Sequence, residues 1–510
     1  MTQNVGQLLT KRAYRDPSVE ALYEPANERR LSFTELNARS NRVANALRGL
    51  GVGDGERVGL LLMNGAEFVE SFFAVAKVGM VNVPLNWRLV PDELEFILSD
   101  AGAKVLIFSA EFADTAAELR SRGTTAIEHW IQVDGEPADG VLGYDDWMGA
   151  ASDAEPEASG MGDDLCFIMY TSGTTGLPKG VMHTHDTVLW ALLTIAATSD
   201  FRQGDKYLNS LPMFHVGALS PVISCVYAGV SLTMMKSFDP TASWDIITNE
   251  KINTTLMVPV MLQFMLLTKT DDHDPSSLRW IMSGAAPVPV SLIETYAAMG
   301  SEIHQVYGLT ETCGPACLIT SADAITRAGS TGKAFYFTEV RVVDEDGNDC
   351  APGEPGEVWV KGPHVMVGYW NRPDATAESI VDGWLHTGDV ATMDEDGFVT
   401  IVDRVKDMLI SGGENVYPAE LENVLLSHDK IADAAVIGIP SAKWGESPLA
   451  VIVAKEEGLE AAEVMEFCKG KVAPFKQIKA VEFVETIPRN PSGKILKREL
   501  REQFAYEAPE

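Results

Sequence analysis

The chain has 510 residues, of which 46% are hydrophobic and 22% charged, with 43 Gly and 26 Pro. This is the composition of a soluble globular protein of about two to four domains at roughly 150 residues each, and it excludes a disulfide-stapled miniprotein, a collagen-like chain and a disordered one. With 73 acidic against 40 basic residues and a formal net charge of −33, nucleic acid and anionic lipid surfaces are unfavourable partners.

Near the start, Ser32 and Glu35 stand three apart as a capping box before Leu36, Val43, Ala44 and Leu47, and Gly51 offers the stop, so a helix is predicted there. The β-rich run 57–63, a helical stretch over 66–78, the segment VNVPLN (81–86) and the strand AKVLIFSA (103–110) then alternate as in an α/β domain with a largely parallel sheet. Tyr207 to Met235 holds no Asp, Glu, Lys or Arg over 29 residues, long enough to span a membrane. However, Pro212, His215, Gly217, Pro221 and Gly229 break it into pieces of strand and short-helix length, which predicts buried α/β core.

From about Gly329 the texture changes to short β runs between turns, at 339–350, 356–362 and 397–404, and predicts a small β-rich subdomain. After Asp403-Arg404-Val405-Lys406-Asp407 a helix is expected over 418–426 and strands over 431–440 and 447–456, forming a last domain of about a hundred residues. The stretch 471–502 carries eight basic and four acidic residues. It reads either as a solvated helix face or as a surface that meets polyphosphate. Six scattered cysteines, with no apolar core for a signal peptide in MTQNVGQLLTKRAYRDP, predict a cytoplasmic protein with reduced thiols.

Chemistry is concentrated in Tyr170-Thr-Ser-Gly-Thr-Thr-Gly-Leu-Pro-Lys179-Gly180. Gly173, Gly176 and Gly180 free the backbone to curl N–H groups around an anion. Thr171, Ser172, Thr174 and Thr175 offer hydroxyl donors, and Lys179 adds a point charge. A Walker A loop is excluded, because Gly180 stands where Ser or Thr would follow the lysine.

This segment resembles the phosphate-loop signature of the adenylate-forming superfamily, which includes acyl- and aryl-CoA synthetases, luciferases and amino-acid-activating domains. Further resemblances follow in order: Ser283-Gly-Ala-Ala-Pro287, Tyr307-Gly-Leu-Thr-Glu-Thr312, Gly383-Trp-Leu-His-Thr-Gly-Asp389, Asp403-Arg404 with Ile410 to Glu420, and Pro488-Arg-Asn-Pro-Ser-Gly-Lys494. They cover nearly the whole chain, and the similarity is greatest to bacterial fatty-acyl-CoA synthetases. The resemblance implies an α/β fold with a large N-terminal domain (1–403), a hinge (404–407) and a small mobile α+β C-terminal domain (408–510).

It also implies the cofactors ATP, Mg2+ and coenzyme A, and a role for each matching residue. Lys179 and the hydroxyls of Thr171, Ser172, Thr174 and Thr175, with Gly173 and Gly176, would hold the β- and γ-phosphates. Glu311 would ligate Mg2+, and Thr310 would contact the α-phosphate. Tyr307 and Gly308, with the backbone of Gly284, Ala285 and Ala286, would frame adenine. Asp389 would accept the ribose hydroxyls, assisted by Arg404. Lys494 would reach the carboxylate and α-phosphate oxygens during acyl-AMP formation. Lys406 would be the pivot that rotates it away for thioester formation, when Ser411, Gly412 and Gly413, and with less support Trp444, would meet pantetheine.

The acyl pocket is expected at His215, Val216, Val258, Pro259, Met261, Ala285, Leu309, Cys313 and Gly314, none of which is acidic. His215 reads as a pocket wall or gate, weighed against a satisfied core histidine. Cys313 and Cys317 lack further ligands at zinc spacing and are read as pocket lining. No acid follows Phe214 until Asp239, which disfavours amino-acid activation, and the absence of an insertion between Gly329 and Arg404 favours a CoA ligase. The leading expectation is a fatty or bulky acyl-CoA synthetase acting on a small-molecule carboxylic acid, with a homodimer left open. The alternatives are an aryl-CoA ligase and a non-catalytic nucleotide-binding homologue.

Overall fold

The computed structural model describes residues 3–171, 178–286, 288–404, 407–411, 414–441, 444–456, 458–469, 471–472, 476–489 and 495–506. Two large sheets dominate. An eight-stranded sheet runs in the spatial order Gly368–Tyr369, Lys179–Thr184, Leu165–Thr171, Val81–Pro84, Arg57–Leu61, Ala103–Ser109, His129–Val133, Leu142–Gly143. Its centre is parallel, while the edge made by Leu165–Thr171, Lys179–Thr184 and Gly368–Tyr369 is antiparallel.

The nine-stranded sheet has the order Lys333–Ala334, Cys317–Leu318, Glu302–Tyr307, Trp280–Gly284, Thr254–Leu256, Lys206–Asn209, Ser231–Met234, Glu20–Glu24, Arg29–Ser32, and its six central strands are parallel. One apolar core lies between the two sheets, drawing Val58, Leu60 and Ile107 from one and Leu22, Leu232 and Met282 from the other. Strands covered on both faces read as unbroken apolar runs, and Val105 to Ser109 are accordingly all buried.

Local chemistry sets the element ends. The helix Phe33–Gly49 is opened by the Ser32/Glu35 capping box, and Gly51 turns the chain with φ +79°. The charge-free stretch folds as strand Lys206–Asn209, helix Val216–Ala228 and strand Ser231–Met234. Its 13-residue helix is about 20 Å long, too short to cross a bilayer. No helix among the described residues is long and apolar enough to do so.

The β-rich subdomain is an antiparallel five-stranded sheet built from Glu339–Val343, Gly356–Lys361, Trp384–Met393, Ile380–Val381 and Val399–Arg404. A fourth sheet begins at Leu409 and contains the long hairpin Ile431–Ser441/Gly445–Ala454. Alternate residues of that hairpin face opposite cores, Ala434 and Val436 on one side and Ala435, Ile437 and Ile439 on the other. The basic stretch over 471–502 is largely neutralised within this sheet's own domain: Lys476 pairs with Glu420, Arg489 with Asp433 and Lys497 with Glu422, while Arg501 reaches Asp407. For those four cations this favours the structural reading over a polyphosphate-binding surface.

Candidate active site

In open α/β sheets, ligands bind in the crevice outside the carboxyl ends of parallel strands, and the candidate residues gather there. Leu165–Thr171 ends at Thr171, which pairs with Lys179 across the hairpin and so fixes both ends of the phosphate-loop segment. Ser172, Gly173, Thr174, Thr175 and Gly176 lie outside the described residues. Trp280–Gly284 ends at Gly284 and is followed by Ala285 in a left-handed conformation, φ +66°. The neighbouring strand Glu302–Tyr307 ends at Tyr307.

Two glycines at these ends are required by close approach. A Cβ on Gly284 would overlap the Val306 carbonyl oxygen, and one on Gly308 would overlap that of Gly314. The chain can therefore cross itself before the single helical turn Thr310–Thr312.

Three hydrogen bonds and one ring contact tie the two sheets and the β-rich subdomain together. His183 Nε2–H donates to the Thr310 carbonyl at 2.8 Å, and burial depresses the His183 pKa to about 4, so the ring is neutral and binds as a fixed tautomer. The Tyr369 hydroxyl donates to Glu311 Oε1 at 2.9 Å, and the Lys179 ammonium lies 5.0 Å from the centre of the Tyr369 ring. The Tyr307 hydroxyl donates to Asp389 Oδ2 at 2.7 Å. Burial, then the Asp389 charge, raises the Tyr307 pKa, so it remains a donor. Asp389 is 5% exposed and pairs with Arg404 across two strands of the subdomain.

Lys179, Thr310, Glu311, Tyr307, Asp389 and the Arg404 backbone are thus brought to one junction. Glu311 Oε2 accepts no hydrogen bond from a described residue, and no cluster of three metal-ligating side chains exists among those residues. A single open carboxylate suits Mg2+, which binds through one or two carboxylates together with substrate phosphates.

His215 sits at the entrance of helix Val216–Ala228. Its Nε2 is sealed from solvent with no hydrogen-bond partner among the described residues. Burial, then the nearby Arg88, holds its pKa down to about 4. Its ring packs 4.5 Å from Phe214, which meets Trp87 edge-on. Among the described residues no carboxylate orients it, which argues for a wall rather than a general base.

Val216 and Cys313 belong to the core between the two sheets, whereas Val258 and Met261 pack with Met257 and Met235 on the far side of the nine-stranded sheet. Pro259 opens helix Pro259–Thr268, Leu309 precedes the Thr310–Thr312 turn, and Gly314 follows Cys313 with φ +117°. Cys317, expected beside Cys313, instead faces the β-rich subdomain, packed with Ala316, Val342 and Val358. It pairs with Tyr307 across the strands and lies in a different core from Cys313. Asp239 caps helix Pro240–Glu250 by accepting from the Ala242 N–H at 2.7 Å, so that carboxylate is already engaged.

In the C-terminal sheet, Ser411 pairs with Gly445, which places Ser411 beside the end of the hairpin strand that follows Trp444. Trp444 is 37% exposed, which rules out a core role. Gly412, Gly413, Lys406 and Lys494 lie outside the described residues.

Tyr369 and His183 were not among the sequence candidates. The Gly-Tyr-Trp-Asn-Arg-Pro run at 368–373, two aromatics bracketed by Gly and Pro, is a signal for the first. A lone histidine in an apolar strand offers none for the second.

A two-sheet α/β body with nucleotide-binding chemistry at its strand ends and a separate small C-terminal sheet defines an adenylate-forming ligase. The chain belongs to the AMP-binding enzyme family: that family's model matches residues 9–370, and the AMP-binding enzyme C-terminal domain matches residues 420–494. It is 42% identical to the long-chain-fatty-acid–CoA ligase FadD13 of Mycobacterium tuberculosis, over 99% of this chain and 100% of that one. It is 39% identical to a feruloyl-CoA synthase of an Amycolatopsis species, over 98% and 99%. The fold matches an anthranilate CoA ligase bound to anthranoyl-AMP with a TM-score of 0.91 at 31% identity, over 98% and 97%. The protein is an acid–CoA ligase that uses ATP, coenzyme A and Mg2+.

Proposed function

We propose that this enzyme is an acyl-CoA synthetase for a hydrophobic carboxylic acid, a medium- or long-chain fatty acid or a bulky apolar one, working in the cytoplasm. The observation that carries the reading is the junction at which Lys179, Thr310 and Glu311 meet through His183 and Tyr369. There, cations and fixed dipoles offset the repulsion between a carboxylate and a triphosphate.

In the first step a carboxylate oxygen of the acid attacks the α-phosphorus. The bond to the bridging oxygen breaks, pyrophosphate leaves and acyl-AMP remains. Lys179, Thr171, Ser172, Thr174 and Thr175 hold the β- and γ-phosphates, Thr310 the α-phosphate and Lys494 the oxygens of the reacting centre. Glu311 and phosphate oxygens hold Mg2+, which supplies charge screening. Tyr307 and the Gly284–Ala286 backbone frame adenine, and Asp389 with Arg404 receives the ribose.

In the second step residues 408–510 rotate about Lys406 against residues 1–403. The thiol sulfur of coenzyme A, approaching past Ser411–Gly413 and Trp444, attacks the acyl carbonyl. AMP leaves and the thiol proton is released.

The side chains assigned to the acyl pocket carry no carboxylate or ammonium, so an unpaired second charge on the substrate would cost several kcal/mol to bury. Each buried methylene contributes about 0.8 kcal/mol, roughly fourfold in kcat/KM, until the pocket is full. A panel of acids assayed for CoA thioester formation tests the reading. Activity should climb from acetate with chain length or apolar bulk and stay low for dicarboxylic and amino acids; acetate, malonate or an amino acid as best substrate would overturn it. An aryl substrate is the second reading, supported by the similarity to feruloyl- and anthranilate-CoA ligases, and benzoates or cinnamates outperforming every aliphatic acid would establish it. Absence of substrate-dependent pyrophosphate release across the panel would leave a non-catalytic nucleotide-binding homologue.

A further inference from the structure

Outside the residues already assigned, the most heavily tied segment at the junction is the strap 366–372. The Met366 N–H donates to the Glu311 carbonyl at 2.7 Å, the Val367 N–H to the Met182 carbonyl at 3.1 Å and the Trp370 N–H to the Gly180 carbonyl at 2.7 Å. The strap thus pairs with the strand that starts at Lys179 and also holds the backbone of Glu311. Its far end is pinned by Asp100: Trp370 Nε1–H donates to the Asp100 carbonyl at 2.9 Å, Arg372 pairs with the Asp100 carboxylate at 2.9 Å, and the Tyr170 hydroxyl donates to the same carboxylate at 2.7 Å. Tyr170 is the residue before Thr171, so one carboxylate clamps the strap and the entry to the phosphate-loop segment together.

Tyr369 lies in the middle of this strap. Gly368 before it has φ +146°, and a Cβ there would meet Thr376 at 2.7 Å, so the backbone is committed to this path. The Tyr369 hydroxyl engages one Glu311 oxygen while its ring supports the Lys179 ammonium. A hydroxyl donating to one carboxylate oxygen orients the other, and an ammonium over an aromatic face is attracted to it.

We propose that Tyr369 is a positioning residue for ATP·Mg2+: its hydroxyl, held on one Glu311 oxygen, orients the other toward the metal, and its ring holds Lys179 toward the terminal phosphates. This rests on the assignment of Glu311 as metal ligand given above. The two parts of the side chain have separable effects. Loss of the hydroxyl weakens the metal's contribution to nucleotide binding, and loss of the ring weakens nucleotide binding with or without metal.

The test is binding rather than turnover. α,β-Methylene-ATP, which cannot release pyrophosphate, is titrated calorimetrically into the full-length enzyme with Mg2+ and with EDTA. Tyr369→Phe should lose about tenfold of the Mg2+-dependent gain in affinity and keep its affinity in EDTA, which also certifies that the site is folded. Tyr369→Leu should lose a further several-fold in both conditions. Glu311→Gln separates the two ideas. If it abolishes the Mg2+-dependent gain while Tyr369→Phe retains it in full, the positioning role is overturned and the metal assignment stands. If Glu311→Gln retains the gain, the metal assignment falls and the role of Tyr369 falls with it.

Discussion

Gly308→Ala isolates one steric fact. A Cβ on Gly308 would overlap the Gly314 carbonyl oxygen and stand 2.7 Å from its carbon, against roughly 3.5–4.0 Å for an ordinary carbon–carbon contact. The crossing must open by about 1 Å or more. The loop that would move contains Thr310 and Glu311, and it is pinned on both sides, by Gly314 N–H to Leu309 and by Ala316 N–H to Tyr307. A misplacement of about 1 Å costs on the order of 100-fold in rate, whereas overpacking costs roughly 1–3 kcal/mol of stability, too little to unfold a chain of this size. ATP–pyrophosphate exchange at saturating acid should therefore fall about 100-fold or more while the protein still melts cooperatively. Gly49→Ala is the matched control, because nothing lies within 4 Å of its added methyl and its φ is unexceptional. It should be neutral or up to about 1 kcal/mol more stable. A Gly308→Ala enzyme with wild-type exchange would show that the crossing does not position Thr310 and Glu311.

Lys494→Ala should abolish ATP–pyrophosphate exchange yet convert supplied acyl-AMP and coenzyme A to thioester; equal loss of both half-reactions would refute the two-conformation mechanism. Acid stability follows from four histidines, His183, His185, His215 and His364, each held down to about 4 first of all by burial. Their unfolded pKa, about 6.5, lies above the folded value, so between pH 6.5 and 4 the unfolded chain binds the additional protons and stability falls as pH falls. Each histidine that follows its full shift removes on the order of 2 kcal/mol by pH 5, and urea unfolding midpoints should drop steeply between pH 6.5 and 5. A flat profile across that window would show that these rings find acid-compatible surroundings.

Much of the architecture was legible because it is written locally. The Ser32/Glu35 box, the apolar runs over 57–61 and 103–109 and the breakers at Pro212 and Gly229 act within a few residues of themselves. The motif residues Thr171, Gly284 and Tyr307 stand at strand ends. The cross-links that turn those ends into one site were not legible. Tyr307 reaches Asp389 across 82 positions, His183 reaches Thr310 across 127, and Glu20–Glu24 inserts beside Ser231–Met234. Such pairings are fixed by which apolar faces the sheets bury together, and nothing in the local pattern of either partner records the choice. Cys313 and Cys317, four residues apart in sequence, enter different cores because the chain turns between them, with Cys313 at φ +54° and Gly314 at φ +117°, before the strand Cys317–Leu318 begins.

The charge distribution bears on how such an acidic protein captures a polyanion. At −33, the long-range field opposes ATP and coenzyme A, and the basic stretch near the C-terminus does little to reverse it, since four of its cations are spent on Glu420, Asp433, Glu422 and Asp407. On the proposed assignments, attraction arises at short range, from Lys179 supported on the Tyr369 ring, from backbone dipoles at the strand ends and from the metal carried by the nucleotide. Short-range contacts are screened far less by salt than long-range steering. Nucleotide association should consequently speed up as ionic strength screens the repulsive net field, the reverse of the behaviour of an enzyme that steers its substrate with a basic surface. On the assignments proposed above, positive potential is confined to the triphosphate-binding junction rather than spread over the protein surface.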